Sequence, residues 1–309
     1  MILRLLELLA RRAAPLIAAS VFVGLAVPPL SQALRPFLIP FIVVPMIIAL
    51  VRIDWRIMMA HARRPLVIAL VCAWSLVASP LLVWGVLQAT ALPPALATAL
   101  ILMAATPPIM AAGAFGLILG LDAALMVVVV VATTLAAPFT LPAMALWLLD
   151  LEVDIGVAEL MGRLVLLIGG VFLGAALVRR LAGAEWLARS AARLDGVSVL
   201  SLIAFAIAVM DGVTGVLMAR PGYVLTCLAV AFAANLALQG AAAVLFLKLG
   251  RLGALSIGLM SGNRNMGMVL AVLADRADFD VVVFFAMAQV PMYTLPALLM
   301  PLYRRLLRP

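Results

Sequence analysis

A single arginine lies in the middle of a long apolar stretch near the C-terminal end of the sequence. Arg264 stands in "GLMSGNRNMGMVLAVLA" (residues 258–274), between Asn263 and Asn265. At 1.5 Å of rise per residue, a helix through this stretch places the guanidinium roughly 15 Å from either end. A charge at the centre of a membrane span costs about 2.5 kcal/mol or more, and such charges usually serve function. We therefore expect Arg264 to have a buried partner or to bind a ligand.

The residues themselves suggest two roles for this arginine. A guanidinium matches a carboxylate with two parallel hydrogen bonds, which would suit an anionic substrate. Alternatively, Arg264 pairs with Asp211 in "AVMDGVTG", the one acidic residue well inside an apolar run, and joins two helices. Asp211 is also a candidate proton carrier, because burial raises a carboxyl pKa whereas a neighbouring arginine lowers it.

The composition is that of a polytopic membrane protein. The 309 residues are 68% hydrophobic and 11% charged, whereas soluble domains have roughly 45–50% apolar and about 25% charged residues. Apolar runs of bilayer length recur along the whole chain and do not alternate with polar residues, so we predict membrane-spanning helices rather than a barrel. The lipid bilayer is therefore a predicted partner.

Other classes of function are not supported by the residue inventory. One histidine, His61, and two distant cysteines, Cys72 and Cys227, cannot build a metal site. No HExxH, GxSxG or pair of intramembrane aspartates is present, so we predict no enzyme, no metal and no cofactor. The net charge of +8 comes from short loops and not from an aromatic–basic surface, so we predict no nucleic-acid partner.

We predict an all-α protein with ten membrane spans. Their approximate limits are 13–29, 36–51, 66–89, 95–119, 122–148, 163–178, 197–218, 222–247, 253–274 and 281–303. Sixteen of the 21 Lys and Arg residues fall on the side that holds both termini, and four fall on the other. By the positive-inside rule, both termini are cytoplasmic, in a multi-pass protein of a bacterial inner membrane. The acidic loops 150–154 and 274–280 then lie outside.

The chain also shows a weak internal repeat. "TLPA" at 140–143 recurs at 294–297, and "VFVG" at 21–24 resembles "VFLG" at 171–174. The offsets, 154 and 150, are about half the chain length. A repeat with five spans is inverted in the membrane, which is typical of secondary transporters. We therefore predict one membrane domain built from two inverted repeats, residues 1–154 and 155–309.

Each half contains a helix that is interrupted at the corresponding place. Pro107 and Pro108 break span four, because proline lacks a backbone donor and clashes with the preceding turn. The offset of 154 carries them to Ser261 and Gly262 in span nine. Paired broken helices that cross near the midplane indicate a transport site.

On these features the chain resembles the bile acid:sodium symporter family over its whole length. In that family, span nine carries a pattern like E-x-G-x-Q-N-x-G, and here residues 260–267 read "MSGNRNMG". The span-four pattern, P-G-G-T-x-S-N, corresponds to "PPIMAAG" at residues 107–113. The resemblance implies a secondary transporter with crossed discontinuous helices in spans four and nine.

This sequence departs from the family at the positions that hold sodium there. The family's carboxylate and glutamine are replaced by Met260 and Arg264, and its span-four Ser and Asn by Ala112 and Gly113. The resemblance places the span-five hydroxyls on Met126 and Val130, and a span-three glutamine on Ser75. Sulfur and hydrocarbon are poor ligands for sodium, and arginine repels it. We therefore predict sodium-independent transport. Arg264 would then have a third role, that of a built-in cation in place of sodium, and this role is compatible with binding of the substrate.

The predicted function is secondary transport of an organic anion by alternating access. The predicted crossover comprises nine residues: Pro107, Pro108, Ala112, Gly113, Ser261, Gly262, Asn263, Arg264 and Asn265. Three amides within predicted spans eight and ten, Asn235, Gln239 and Gln289, are expected either to line the cavity or to join helices. Alternatives are a proton-coupled carrier, an auxin-efflux-type carrier, and a non-transporting receptor with a transporter fold.

Overall fold

The computed structural model describes residues 6, 9, 12–55, 58–59, 64–149, 156–273 and 276–308. These residues form helices and turns, and no strand is found among them. Continuous apolar segments fold in this way because a helix satisfies its own backbone donors and acceptors where no water is present. The predicted repeat boundary after residue 154, the outer loop 150–154 and His61 lie outside the described residues.

Within the described residues, the first half of the chain forms eight α-helices. They are α1 (Ala13–Ala26), α2 (Pro28–Leu34), α3 (Leu38–Val51), α4 (Pro65–Ala73), α5 (Ser79–Leu87), α6 (Pro94–Ala105), α7 (Ala112–Leu119) and α8 (Ala123–Leu149). Proline stands in the first turn of α2, α4, α5 and α6, where its missing N–H would have no helical acceptor. A π-helical segment, Trp74–Ala78, joins α4 to α5.

The described part of the second half forms eight more α-helices. They are α9 (Val157–Arg189), α10 (Ala191–Ala208), α11 (Val213–Ala219), α12 (Pro221–Leu245), α13 (Gly250–Gly262), α14 (Met266–Leu273), α15 (Phe279–Leu298) and α16 (Met300–Leu306). Predicted span six is extended at both ends in α9, which bends at Gly183 with φ of 73°. Predicted span seven ends at Ala208, because Gly212 adopts a left-handed conformation with φ of 76°.

Seven helical stretches within the described residues are long and apolar enough to cross a membrane. They are Pro28–Val51, Pro65–Leu87, Ala123–Leu149, Val157–Arg189, Ala191–Ala208, Pro221–Leu245 and Phe279–Leu298. The other three predicted spans correspond to the short helix α1 and to the interrupted pairs α6/α7 and α13/α14. The protein is therefore an all-helical, multi-pass membrane protein, and the arrangement as ten inverted-repeat spans stays a prediction.

The helices pack as two groups. The first group is α1, α3, α9 and α10, in which α10 packs on both α1 and α3. The second group holds the two interrupted pairs together with α5, α8, α12 and α15. The groups meet where α8 contacts α9 and where α15 contacts α1. The interrupted helices therefore lie within the second group, with the first group beside them.

Candidate functional site

The two helix breaks hydrogen-bond directly to each other. The Ile109 N–H donates to the Asn263 carbonyl at 2.9 Å, and the Asn265 N–H donates to the Pro107 carbonyl at 2.9 Å. Pro108 and Arg264 consequently face each other as an antiparallel pair. Extended backbone on both sides, at Thr106 and Asn263, frees the groups that make these bonds. Sequence reasoning predicted both breaks, and the structure brings them into contact.

The side chain of Arg264 is completely buried and bonded to oxygen atoms of the protein. Its Nε donates to the Ser261 carbonyl at 2.7 Å. Its Nη1 donates to the carbonyls of Ser75 at 2.8 Å and Thr106 at 2.9 Å, and its Nη2 donates to the Ser79 hydroxyl at 2.8 Å. With 0% of the residue exposed, one guanidinium joins α5, both breaks and the π-helical segment.

The π-helical segment explains how a backbone carbonyl inside a helix becomes available. A π-turn hydrogen-bonds from residue i+5 instead of i+4 and so loosens the normal pairing of its carbonyls. Here the Ser75 carbonyl accepts from Arg264 and also from the Ser79 hydroxyl, at 3.0 Å. The Trp74 indole N–H donates to the Ser261 hydroxyl at 2.8 Å. The segment is thereby tied to the broken helix α13.

Sequence reasoning missed several of these residues. Thr106 contributes only its carbonyl to Arg264, which no side-chain pattern could reveal. Ser79 had a usable signal: it follows Ser75 by four residues, so the two lie on one helical face beside Trp74. Ser75 was named only as the position of a family glutamine. It contributes its carbonyl to Arg264, and its hydroxyl has no hydrogen-bond partner among the described residues.

The alternative that Arg264 pairs with Asp211 is contradicted by the structure. Asp211 lies beyond the end of α10, and its Oδ2 is 2.9 Å from Nη1 of Arg35. The Arg35 and Asp211 side chains are 51% and 18% exposed. The partners of Arg264 in the described structure are three carbonyls and one hydroxyl, with no carboxylate among them. Asp211 thus belongs to a pair near the protein surface and not to the crossover.

Five of the positions that the resemblance assigns to the family's sodium ligands, Ala112, Gly113, Met126, Val130 and Met260, carry no side-chain oxygen. Met126 and Met260 are 0% exposed, and Val130 and Ala112 are 2% and 1% exposed. Gly113 lies so close to α8 that a Cβ there would be 2.6 Å from Cγ2 of Val127. Apolar packing therefore occupies these places. Among the described residues, no group of three or more His, Cys, Asp and Glu residues could hold a metal ion.

Two of the three predicted amides form a buried chain behind the break. Asn235 donates to the Gly262 carbonyl at 2.9 Å and accepts from Gln239 at 2.5 Å. Gln239 in turn accepts from the Tyr303 hydroxyl at 2.8 Å. Neither Asn235 nor Gln239 lines the cavity between the two helix groups. These two amides therefore join helices, which is one of the two roles predicted for them.

A cavity of about 430 Å³ lies between the two helix groups. Its walls are mainly apolar, with α3 and α10 on one side and the interrupted helices on the other. Arg264, Asn265 and Gln289 contribute to its wall. At the end of α3, Arg52 and Asp195 form an ion pair whose side chains are 41% and 38% exposed. The cavity therefore reaches the protein surface near these helix ends.

The first turns of two half-helices also line this cavity. Gly113 and Ala114 of α7 line it, as do Met266 and Gly267 of α14. Asn265 caps α14, because its side-chain oxygen accepts from the Met268 N–H at 3.3 Å. Helix N-termini carry partial positive charge. Two positive helix ends and the charge of Arg264 therefore lie at this wall, and no carboxylate among the described residues hydrogen-bonds to Arg264.

On the side opposite its mouth, the cavity is closed by contacts between the two helix groups. Arg179 near the end of α9 donates to the carbonyls of Val51 and Ile53, beside the cavity mouth. Arg163, on the same helix, lies sixteen residues away, which is roughly 24 Å along the axis. Its Nη1 donates to the Val272 carbonyl of α14 at 3.1 Å. This bond links the first group to the second on the side opposite the mouth.

A further ion pair lies at the start of α12. Arg220 Nη1 and Nη2 bind Asp280 Oδ2 and Oδ1 at 3.0 and 2.5 Å. The hydrogen bond with Asp280 raises the pKa of Arg220, which therefore stays charged. The pair connects α12 to the first turn of α15.

Comparison with known sequences places the chain in a family. The sequence model of the Sodium Bile acid symporter family matches residues 36–220, from the start of predicted span two to just beyond predicted span seven. No curated protein matches the chain. The matched region contains the broken helix at Pro107–Pro108 and the π-helical segment, and it ends before Arg264. Since it covers more than half of the 309 residues, the chain belongs to the sodium bile acid symporter family.

Proposed function

We propose that this secondary transporter carries an organic anion without sodium, and that Arg264 permanently occupies the place of a bound cation. Membership of the symporter family makes a transported small molecule and a bilayer environment the general expectation. The sodium-independent mechanism is the specific part of the proposal. It depends on the chemistry of the crossover in this chain.

The observation that carries the proposal is the oxygen cage around the guanidinium. Three carbonyls and one hydroxyl surround it, drawn from the breaks and from the Ser75–Ser79 region. Carbonyl and hydroxyl oxygens are the ligands that hard cations bind. In this chain a tethered cation fills that cage, and Met126, Val130 and Met260 supply no further oxygen. The crossover can therefore form without an ion.

The choice of an organic anion rests on the electrostatics of the cavity. The Arg264 charge and the N-terminal ends of α7 and α14 favour negative charge nearby. Because four hydrogen bonds already hold the guanidinium, attraction acts through the field of Arg264 and not through a free two-pronged contact. The apolar walls suit a substrate with a hydrocarbon body.

Alternating access would then move the two helix groups relative to each other. The cavity mouth lies near Arg52, and the opposite side is closed through Arg163 and Val272. Breaking the Arg163 contact while closing the mouth would expose the cavity to the other side. With cytoplasmic termini, as the basic residues predict, the mouth near Arg52 faces the cytoplasm.

Flux measurements in liposomes test this proposal. The purified protein is reconstituted, and exchange of radiolabelled aromatic and aliphatic carboxylates is measured in sodium, potassium and choline salts of equal ionic strength. We expect equal rates of exchange for at least one carboxylate in all three salts. An Ala49→Trp variant, whose larger side chain would fill part of the cavity, provides the background rate of exchange. Exchange that requires sodium would contradict the mechanism, and binding without exchange would favour the receptor alternative.

The proposed orientation has its own test. In a background lacking Cys72 and Cys227, a cysteine at Asp278 should react with an impermeant thiol reagent added outside cells. A cysteine at Arg180, which is exposed at the other end of the spans, should react only after the membrane is opened. The reverse pattern would overturn the assignment of both termini to the cytoplasm.

A further inference from the structure

The amide of Gln289 is only half satisfied within the protein. Gln289 lies on α15, is 0% exposed and contributes to the cavity wall. Its Nε2 donates to the Phe285 carbonyl at 3.1 Å. A carbonyl can only accept, so this bond fixes the orientation of the amide. The Oε1 atom then has no hydrogen-bond partner among the described residues.

A second buried glutamine shows that this arrangement is not imposed by the fold. Gln239 donates to Asn235 and accepts from Tyr303, so both ends of its amide are paired. Gln239 lies away from the cavity, whereas Gln289 lies in its wall. Buried polar atoms without a partner are rare in native proteins and call for a specific explanation.

The neighbours of Gln289 extend this polar surface. Tyr293, one helical turn further along α15, also lines the cavity and carries a hydroxyl group. Across the breaks, the amide nitrogen of Asn265 has a sulfur acceptor, Met46 Sδ, at 4.0 Å. Sulfur is a weak acceptor, so this nitrogen keeps most of its capacity to donate.

We propose that Gln289 is a specificity-determining residue that accepts a hydrogen bond from a hydroxyl or N–H group of the transported anion. The proposal rests on the proposed function and adds to it the substrate class: an organic anion that carries both an acidic group and a hydrogen-bond donor. The acidic group lies toward Asn265 and the half-helix ends, and the donor lies toward Gln289 and Tyr293. An unfilled acceptor favours a ligand with a donor over an analogue without one, because the analogue leaves the acceptor unpaired.

Matched ligands test the proposal on the purified, full-length protein. The probes are hydroxy acids of different size, each compared with its O-methyl and deoxy analogues, for example mandelate, O-methylmandelate and phenylacetate. Binding is measured as the concentration dependence of the rise in apparent Tm, since a ligand of the native state stabilises it by mass action. We expect the hydroxy member of at least one set to bind about tenfold more tightly than both of its analogues.

Two variants separate ligand recognition from folding. Gln289→Leu should retain or raise the apparent Tm without ligand, because it removes an unpaired acceptor, and it should abolish the tenfold preference. Gln239→Leu, the matched control, should lower the Tm, because it breaks the Asn235–Tyr303 chain, and it should keep the preference.

Equal binding of all members of each set by the wild-type protein would overturn the role of Gln289 and leave the proposed transport of organic anions standing. A preference that survives in Gln289→Leu would also overturn it. Failure of every anion in the sets to bind would overturn the proposed substrate class and this inference together.

Discussion

The carbonyl oxygen of Ser75 accepts a hydrogen bond at 2.8 Å from Nη1 of Arg264, a residue 189 positions further along the chain. The bond joins the π-helical segment to the second helix break. Thr106, in the first break, accepts from the same nitrogen at 2.9 Å. One terminal nitrogen of the guanidinium therefore holds three segments together: the two helix breaks and the π-helical segment.

Replacing Arg264 should destabilise the fold in a graded way. Arg264→Ala leaves three carbonyls and the Ser79 hydroxyl without their donor, and we expect a loss of about 3 kcal/mol or more. Arg264→Lys keeps the charge and three donors but cannot match four acceptors in different directions, so its loss should be intermediate. Thermal unfolding in detergent gives the order. A lysine variant as stable as the wild type would show that charge alone suffices.

Arg264 and Asp211 should behave as independent sites. They share no hydrogen-bond partner, since Asp211 pairs with Arg35. In a double-mutant cycle with Arg264→Lys and Asp211→Asn, the two effects on the free energy of unfolding should add to within about 0.5 kcal/mol. A coupling energy of about 2 kcal/mol or more would instead indicate a direct ion pair.

Gly262 should not tolerate even a methyl group. A Cβ at this position would lie 2.5 Å from Oδ1 and 2.6 Å from the carbonyl oxygen of Asn235. We expect Gly262→Ala to cost about 1–3 kcal/mol, because it pushes α13 away from α12. Gly240→Ala is the control, since a Cβ there meets nothing within 4 Å. Within a helix that substitution should be neutral or stabilising by up to about 1 kcal/mol. Equal effects of both changes on thermal unfolding would contradict the close approach.

The contact of Arg163 with Val272 should keep the cavity closed on the side opposite Arg52. Arg163→Ala removes the donor, so it should favour the alternative opening. The reporter is a Met110→Cys substitution in the cavity wall, made in a protein that lacks Cys72 and Cys227. Its labelling by an impermeant thiol reagent from outside should increase. Arg180→Ala, on an exposed position of the same helix, should leave the rate unchanged. Unchanged labelling in Arg163→Ala would mean that other contacts hold this side closed.

The sequence predicted the two helix breaks of the crossover correctly, but it did not predict the hydrogen-bond partners of Arg264. Both breaks could be found, because Pro107–Pro108 and Gly262 change the local backbone in ways that depend on residue type. The partner proposed for Arg264 was wrong because only side chains can be read from a sequence. Its actual acceptors are mainly backbone carbonyls, which every residue possesses and which become available only where helices break or widen.

The buried amides show the same limit. Gln239 and Gln289 both stand in apolar helices, and no pattern around them says which one is fully bonded. The distinction depends on Tyr303 reaching Gln239 from α16, across 64 residues. Likewise, the wider turn of the π-helical segment "WSLVA" was not predicted from its residues. Span one was predicted as a full crossing, whereas the described helix there, α1, is short. The interruptions of spans four and nine were predicted, because they depend on residue type.

The central claim is that Arg264 replaces a bound cation, and cation dependence of thermal stability tests it most directly. Apparent Tm is measured for the wild type, Arg264→Ala and Arg264→Gln as sodium, potassium or methylguanidinium replaces choline at constant ionic strength. We expect a wild-type Tm that does not depend on the cation, and a saturable rise for at least one cation in the two variants, whose oxygen cage is empty. A saturable, sodium-specific rise in the wild type would contradict it.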